Sequence, residues 1–119
     1  MTEVFLDLCD TIEKFNNKYF PNWFNINPIY YTNALAGEVG ELCNLTKKLI
    51  GGGTKGNKIN NSELIEEMAD ILIYLILTMG NLGFTPMDLI NETYNKNKIN
   101  IKRMEKRNIK KGKVCNKYS

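Results

Sequence analysis

The sequence predicts an all-α fold, a four-helix-bundle-like domain built from four main helices. Three observations carry that expectation: apolar residues recur at spacings of three and four along most of the 119-residue chain, no alternating strand pattern or hairpin signal occurs, and glycine or proline falls between the periodic segments. At 43% hydrophobic and 24% charged residues, the composition suits one globular domain of ordinary size.

From Glu3 to about Tyr19 the residues Val4, Phe5, Leu8, Ile12 and Phe15 mark one face of an amphipathic first helix. Pro21 and the dense run Tyr19-Phe20-Pro21-Asn22-Trp23-Phe24-Asn25-Ile26-Asn27 break it. These aromatics have two readings: they plug the end of the bundle, or Trp23 or a neighbour lines a pocket for a flat ring such as a nucleobase. A second helix is expected from Pro28 through Tyr31, Leu35, Val39, Leu42 and Leu45 to Ile50, closed by Gly51-Gly52-Gly53. The segment from Gly51 to Asn61, with four glycines and two lysines, reads as a flexible linker, because it lacks the Gly-x-x-x-x-Gly-Lys-Ser/Thr phosphate loop.

Asn61 or Ser62 is the expected cap of a third helix, where Glu63, Glu66 and Glu67 complement the dipole. Asp70 lies beyond the first turn and runs into Ile71-Leu72-Ile73-Tyr74-Leu75-Ile76-Leu77. A helix apolar all round is expected to be buried on every side, so Asp70 needs a partner, and the apolar surface points to a homo-oligomer, a dimer or tetramer. Thr85-Pro86-Met87-Asp88 opens a fourth helix that runs towards Ile99 or Met104. The expected organisation is a domain over residues 1–107 and a mobile basic tail over 108–119.

No run reaches the length of a membrane span, and the acidic N-terminal residues Glu3 and Asp7 stand where a secretory signal would be basic, so the expected location is cytoplasmic. Cys9, Cys43 and Cys115 have no paired spacing and read as reduced thiols, two of them in the core. Histidine is absent, which excludes Ser-His-Asp and Cys-His triads.

The chemistry concentrates in two pairs of carboxylates, Glu38 with Glu41 and Glu67 with Asp70, each pair three residues apart in a predicted helix. Residues so spaced share a helix face, and two such helices packed together gather four carboxylates around one point. Clustered, partly desolvated carboxylates need a counter-ion, and an all-oxygen donor set suits Mg²⁺, Ca²⁺ or Mn²⁺. Residues 1–95 carry 6 basic and 12 acidic side chains, whereas residues 96–119 carry 10 basic and 1 acidic. Such a basic end either binds nucleic acid or folds towards an anionic substrate near the carboxylates.

With these residues in view the chain resembles a known family. Ala34-Leu35-Ala36-Gly37-Glu38-Val39-Gly40-Glu41-Leu42, followed by Glu66-Glu67-Met68-Ala69-Asp70-Ile71-Leu72-Ile73-Tyr74-Leu75, resembles both metal helices of the all-α nucleoside triphosphate pyrophosphohydrolases, the MazG-like superfamily. The stretch from Phe15 through Trp23 and Pro28, and downstream Lys96-x-x-x-Asn100-x-x-Arg103, are similar to the dCTP pyrophosphatase branch. That branch commonly has a tryptophan where this chain carries Lys47-Lys48.

The resemblance implies that Glu38, Glu41, Glu67 and Asp70 bind Mg²⁺, with Mn²⁺ as a substitute. It implies that Tyr74 lies near the nucleotide, that Asn100 contacts it, and that Lys96 and Arg103 neutralise phosphates; Trp23 and Lys48 complete the substrate-binding candidates. The implied activity is hydrolysis of a (deoxy)nucleoside triphosphate, dCTP among them, to monophosphate and pyrophosphate, with Glu41 as the candidate proton acceptor. Phosphoribosyl-ATP pyrophosphohydrolase shares the metal chemistry. A non-catalytic helical protein that binds nucleic acid through its basic tail is the reading from another class, and it leaves the carboxylates unexplained.

Overall fold

The structure is a computed structural model that describes residues 2–50 and 60–111. Among the described residues there is no strand: α1 (Thr2–Tyr19), a short 3-10 turn η1 (Trp23–Asn25), α2 (Pro28–Ile50), α3 (Asn61–Asn81) and α4 (Pro86–Lys111) follow in order. The all-α expectation therefore holds. Most of the expected glycine-rich linker, residues 51–59, and the end of the basic tail, residues 112–119, lie outside the described residues. The chain divides into two compact units, Met1–Pro86 and Met87–Ser119, the second formed around α4.

Within the first unit, α2 and α3 pack along one another, and α1 and η1 pack on α3. The α2 residues turned inward are Tyr31, Ala34, Leu35, Glu38, Leu42 and Leu45; those of α3 are Leu64, Glu67, Ile71, Tyr74 and Thr78. Both sets recur at three and four, the period of a packed helix face. Ile76 and Leu77 are buried at the lower end of α3, and full burial of one such side chain stabilises by about 1.5–3 kcal/mol.

The inward face of α1 differs from the expected one. Cys9 and Asn16 are buried and Phe5, Ile12 and Glu13 half-buried, while Val4 and Phe15 are exposed. The helix is turned so that Cys9 and Asn16 are buried in place of Leu8 and Phe15, and Phe15 packs in an aromatic group with Tyr19 and Phe20 at centroid distances of 4.9 and 6.3 Å.

Asn60 caps α3 through its side chain, which accepts from the Ser62 N–H; the cap is one residue earlier than expected, since an asparagine in extended backbone is already correctly placed. At the other end Gly83, with φ +85°, allows the Phe84 N–H to donate to Met79 O and its own N–H to donate to Gly80 O, both at 3.0 Å. This is a Schellman closure that needs a left-handed residue. Helix α4 runs to Lys111, past the expected end at Ile99 or Met104. Its residues 97–111 contain no glycine or proline, so nothing stops the helix before Gly112.

Of the cysteines, Cys9 is buried and Cys43 exposed, and Cys115 lies outside the described residues. Helix α3 is not buried on every side: Ile65, Met68, Leu72, Ile73 and Leu75 are all exposed, and so is Asp70. Among the described residues no single helix is long and apolar enough to cross a membrane.

Candidate active site

Glu38 and Glu67 occupy positions within the inward stripes of α2 and α3, where the flanking positions carry Leu35 and Leu42, and Leu64 and Ile71. Two packed helices that each place a glutamate in the seam bring those glutamates together. Glu41 and Asp70, three residues further on, fall at the exposed edge. The spacing argument is refined accordingly: each pair contributes one carboxylate to the seam and one to its rim.

One carboxylate oxygen each from Glu38, Glu67 and Asp70 lies within 4.8 Å of the others. Glu41 is not part of that triad, yet it is near enough to act on Glu67. The Glu67 carboxyl is pushed up to about 7, first by its side-chain hydrogen bond with Glu38, then by desolvation and by the charge of Glu41. Glu67 Oε2 is sealed from solvent and has no hydrogen-bond partner among the described residues. A proton shared with Glu38 relieves this repulsion; a divalent cation relieves it more completely, since it offers positive charge to every oxygen at once. The orphaned Oε2 and the all-oxygen donor set thus fit a hard cation.

That electrostatic state gives a measurable pH signature. The folded-state pKa of Glu67 lies above its ordinary value of 4.5, so its contribution to stability is present below that value and is lost as the pH rises through about 7. The metal-free protein is expected to lose melting temperature between pH 5 and pH 8, more so than Glu67→Gln. Added Mg²⁺ restores the wild-type loss at pH 8 and does little at pH 5. Thermal melts of the two proteins with Mg²⁺ and with EDTA measure this.

Beside the carboxylates lies a cavity of about 500 Å³ between α1, the η1 segment, α2 and α3. Phe15, Phe20, Ile26, Tyr30, Ile73 and Tyr74 are among its walls. Tyr74 joins the two features: it lines the cavity, and its hydroxyl pKa is raised by desolvation, then by Tyr30, Glu38 and Asp70. The arrangement offers aromatic faces at one place and a nest of oxygen ligands at the next.

Trp23 does not line that cavity. Its side chain is 0% exposed, its Nε1–H donates to Asn17 Oδ1 at 2.8 Å, and Phe24 packs on it at 3.8 Å between ring centroids. A ring with no exposed face has none free for a substrate, so the plug reading applies to Trp23, while Phe20 and Ile26 of the same stretch line the cavity. The Trp23 ring is clamped against α3 where Gly80 leaves room: a Cβ there would stand 2.7 Å from Cη2 of the indole. Asn81 ties the same segment down, its Nδ2 donating to the carbonyls of Trp23 at 3.0 Å and Ile26 at 2.9 Å. In the sequence Gly80 reads with Gly83 as a helix-closing glycine, and nothing local marks Asn81.

Lys48 is exposed in the last turn of α2, where a cation also complements the helix dipole. Lys96, Asn100 and Arg103 are exposed on α4, and their spacing of four and three puts them on one helix face. They belong to the second unit. Compared with protein-family models, with curated proteins and with solved structures, the chain matches none.

Proposed function

We propose that this chain is a Mg²⁺-dependent, MazG-like nucleoside triphosphate pyrophosphohydrolase that converts a (deoxy)nucleoside triphosphate, dCTP among the substrates, to the monophosphate and pyrophosphate. The observation that carries the reading is the meeting of Glu38, Glu67 and Asp70, together with a Glu67 oxygen that is sealed and unpartnered among the described residues, next to an aromatic cavity that Tyr74 lines. A ring and a polyphosphate joined by a sugar need those two environments side by side.

Glu38, Glu67 and Asp70, with Glu41 at the rim, would hold the cation. When bound, a divalent cation supplies charge neutralisation for the phosphates and acidifies water. Glu41, exposed and outside the triad, would take the proton of the attacking water. Phe20, Tyr30 and Tyr74 would hold the base by stacking. Lys96 and Arg103 on α4 would neutralise phosphate charge, with Asn100 and Lys48 as further polar contacts.

The exposed Ile65, Met68, Leu72 and Leu75 recur at three and four along α3, which supports a homodimer or homotetramer acting on the cytoplasmic nucleotide pool. A second reading, a nucleic-acid-binding helix, is favoured by one observation: Lys96, Lys98, Lys102, Arg103, Lys106 and Arg107 are all exposed on α4. A panel of dNTPs, NTPs and phosphoribosyl-ATP with Mg²⁺, scored for pyrophosphate, separates these readings. Pyrophosphate release from one or more nucleoside triphosphates supports the proposal, and turnover of phosphoribosyl-ATP alone moves the chain to that activity. Inertness across the panel, with salt-dependent binding of an oligonucleotide, supports the nucleic-acid reading.

A further inference from the structure

The cavity beside Tyr74 contains one polar group that its aromatic walls do not account for. Asn16 lies on the inward face of α1, is only 8% exposed, and lines the cavity. Its Nδ2 donates to the Ile12 carbonyl oxygen at 3.0 Å. That bond fixes the amide orientation, because the reverse placement would set Oδ1 against another oxygen. Oδ1 is thereby an obligate acceptor, and among the described residues it has no donor.

Two of the hydroxyls that line the cavity are committed elsewhere. Tyr31 donates to Trp23 O at 3.2 Å and Thr11 donates to Asp7 O at 2.9 Å. The sealed, partnerless side-chain atoms of the described residues are Glu67 Oε2 and Asn81 Oδ1. Asn16 Oδ1 therefore retains accessible surface, and Asn16 is one of the residues that line the cavity. An acceptor in an apolar enclosure discriminates between ligands by what they bring to it. A ring with an amino group there gains a hydrogen bond, whereas a ring with a carbonyl sets two oxygens together.

We infer that Asn16 determines base specificity, its Oδ1 accepting a hydrogen bond from an exocyclic amino group, so that the cavity takes amino-bearing nucleobases in preference to those with a carbonyl at that edge. This rests on the reading of the cavity as the base pocket, and it adds a residue that neither the carboxylate motif nor the basic face of α4 includes. Asn16 acts on binding of the ring and takes no part in phosphate chemistry.

The test uses nucleosides, which carry no phosphate and need no metal. NMR titration of the full-length wild type with cytidine, uridine and 2-pyrimidinone riboside compares rings that differ at one substituent. Cytidine is expected to bind roughly tenfold to a hundredfold more tightly than either of the others. In Asn16→Leu, cytidine is expected to fall to the uridine level while uridine is unchanged. Equal binding of cytidine and 2-pyrimidinone riboside by the wild type overturns the inference, and that comparison needs no variant to fold. So does discrimination that survives in Asn16→Leu. Absence of nucleoside binding overturns it too, while pyrophosphate release from triphosphates would leave the hydrolase reading standing.

Discussion

Replacing Glu67 by Gln, or Asp70 by Asn, is expected to lower Mg²⁺-dependent pyrophosphate release by about 10²–10³-fold or more, the scale on which removal of one preorganised charged group acts. The two substitutions keep shape and volume, so the loss reads charge and ligation rather than packing. Glu67→Gln is also expected to make the metal-free protein more stable at pH 8, because Oε2 of the wild-type residue is sealed without a partner beside Glu38 and Glu41, whose influence raises its pKa. Activity and stability then move in opposite directions, the mark of a site under electrostatic strain. Glu41→Gln is expected to behave differently: a fall of about 10²–10⁴-fold in turnover, the range of general base catalysis, with metal binding largely retained. The double variant of Glu67→Gln with Asp70→Asn should be little worse than either alone, since residues that hold one ligand act as a unit. Steady-state rates together with melts in Mg²⁺ and EDTA measure all of these.

The second large effect concerns stability. Trp23→Ala is expected to cost about 3–5 kcal/mol, the range for truncating a fully buried aromatic side chain. In a domain of this size that corresponds to a fall in Tm of more than about 10 °C. The ring is 0% exposed and its Nε1–H bond to Asn17 would be lost with it. By contrast the Tyr31 and Asn81 bonds go to the Trp23 carbonyl and survive the substitution. Trp23→Phe, which keeps an aromatic ring, should recover a large part of the loss. Had Trp23 been a stacking platform for the base, its truncation would raise KM and leave Tm nearly unchanged. Calorimetric or circular-dichroism melts of the two variants decide between a core tryptophan and a ligand-binding one.

The legible and illegible parts of this molecule divide along a physical line. Helices α1, α2 and α3 were readable to within a residue or so, because their ends are written locally: Pro28 opens α2, and the Asn60–Ser62 stretch opens α3. The end of α4 was misjudged, since polar and basic residues sustain a helix as well as apolar ones do. The meeting of Glu38, Glu67 and Asp70 follows from spacing and helix packing. What spacing could not separate was seam from rim, because residues three apart share a broad face and only the packing partner decides which of the two is covered.

Tertiary facts were out of reach for the same reason. On α1 Asn16 is buried while Phe15 stays exposed, grouped with Tyr19 and Phe20. The roles of Gly80 and Asn81 depend on a segment more than fifty residues away, which Asn81 holds through the carbonyls of Trp23 and Ile26. Periodicity reports that a residue is covered, and not by what.

Electron paramagnetic resonance of Mn²⁺, titrated into the wild type and into Glu67→Gln at pH 8, tests most directly whether the carboxylates form a metal centre. The account predicts saturable Mn²⁺ binding by the wild type that excess Mg²⁺ displaces and that Glu67→Gln weakens severely. Equal binding by the two proteins, or none by either, would contradict it.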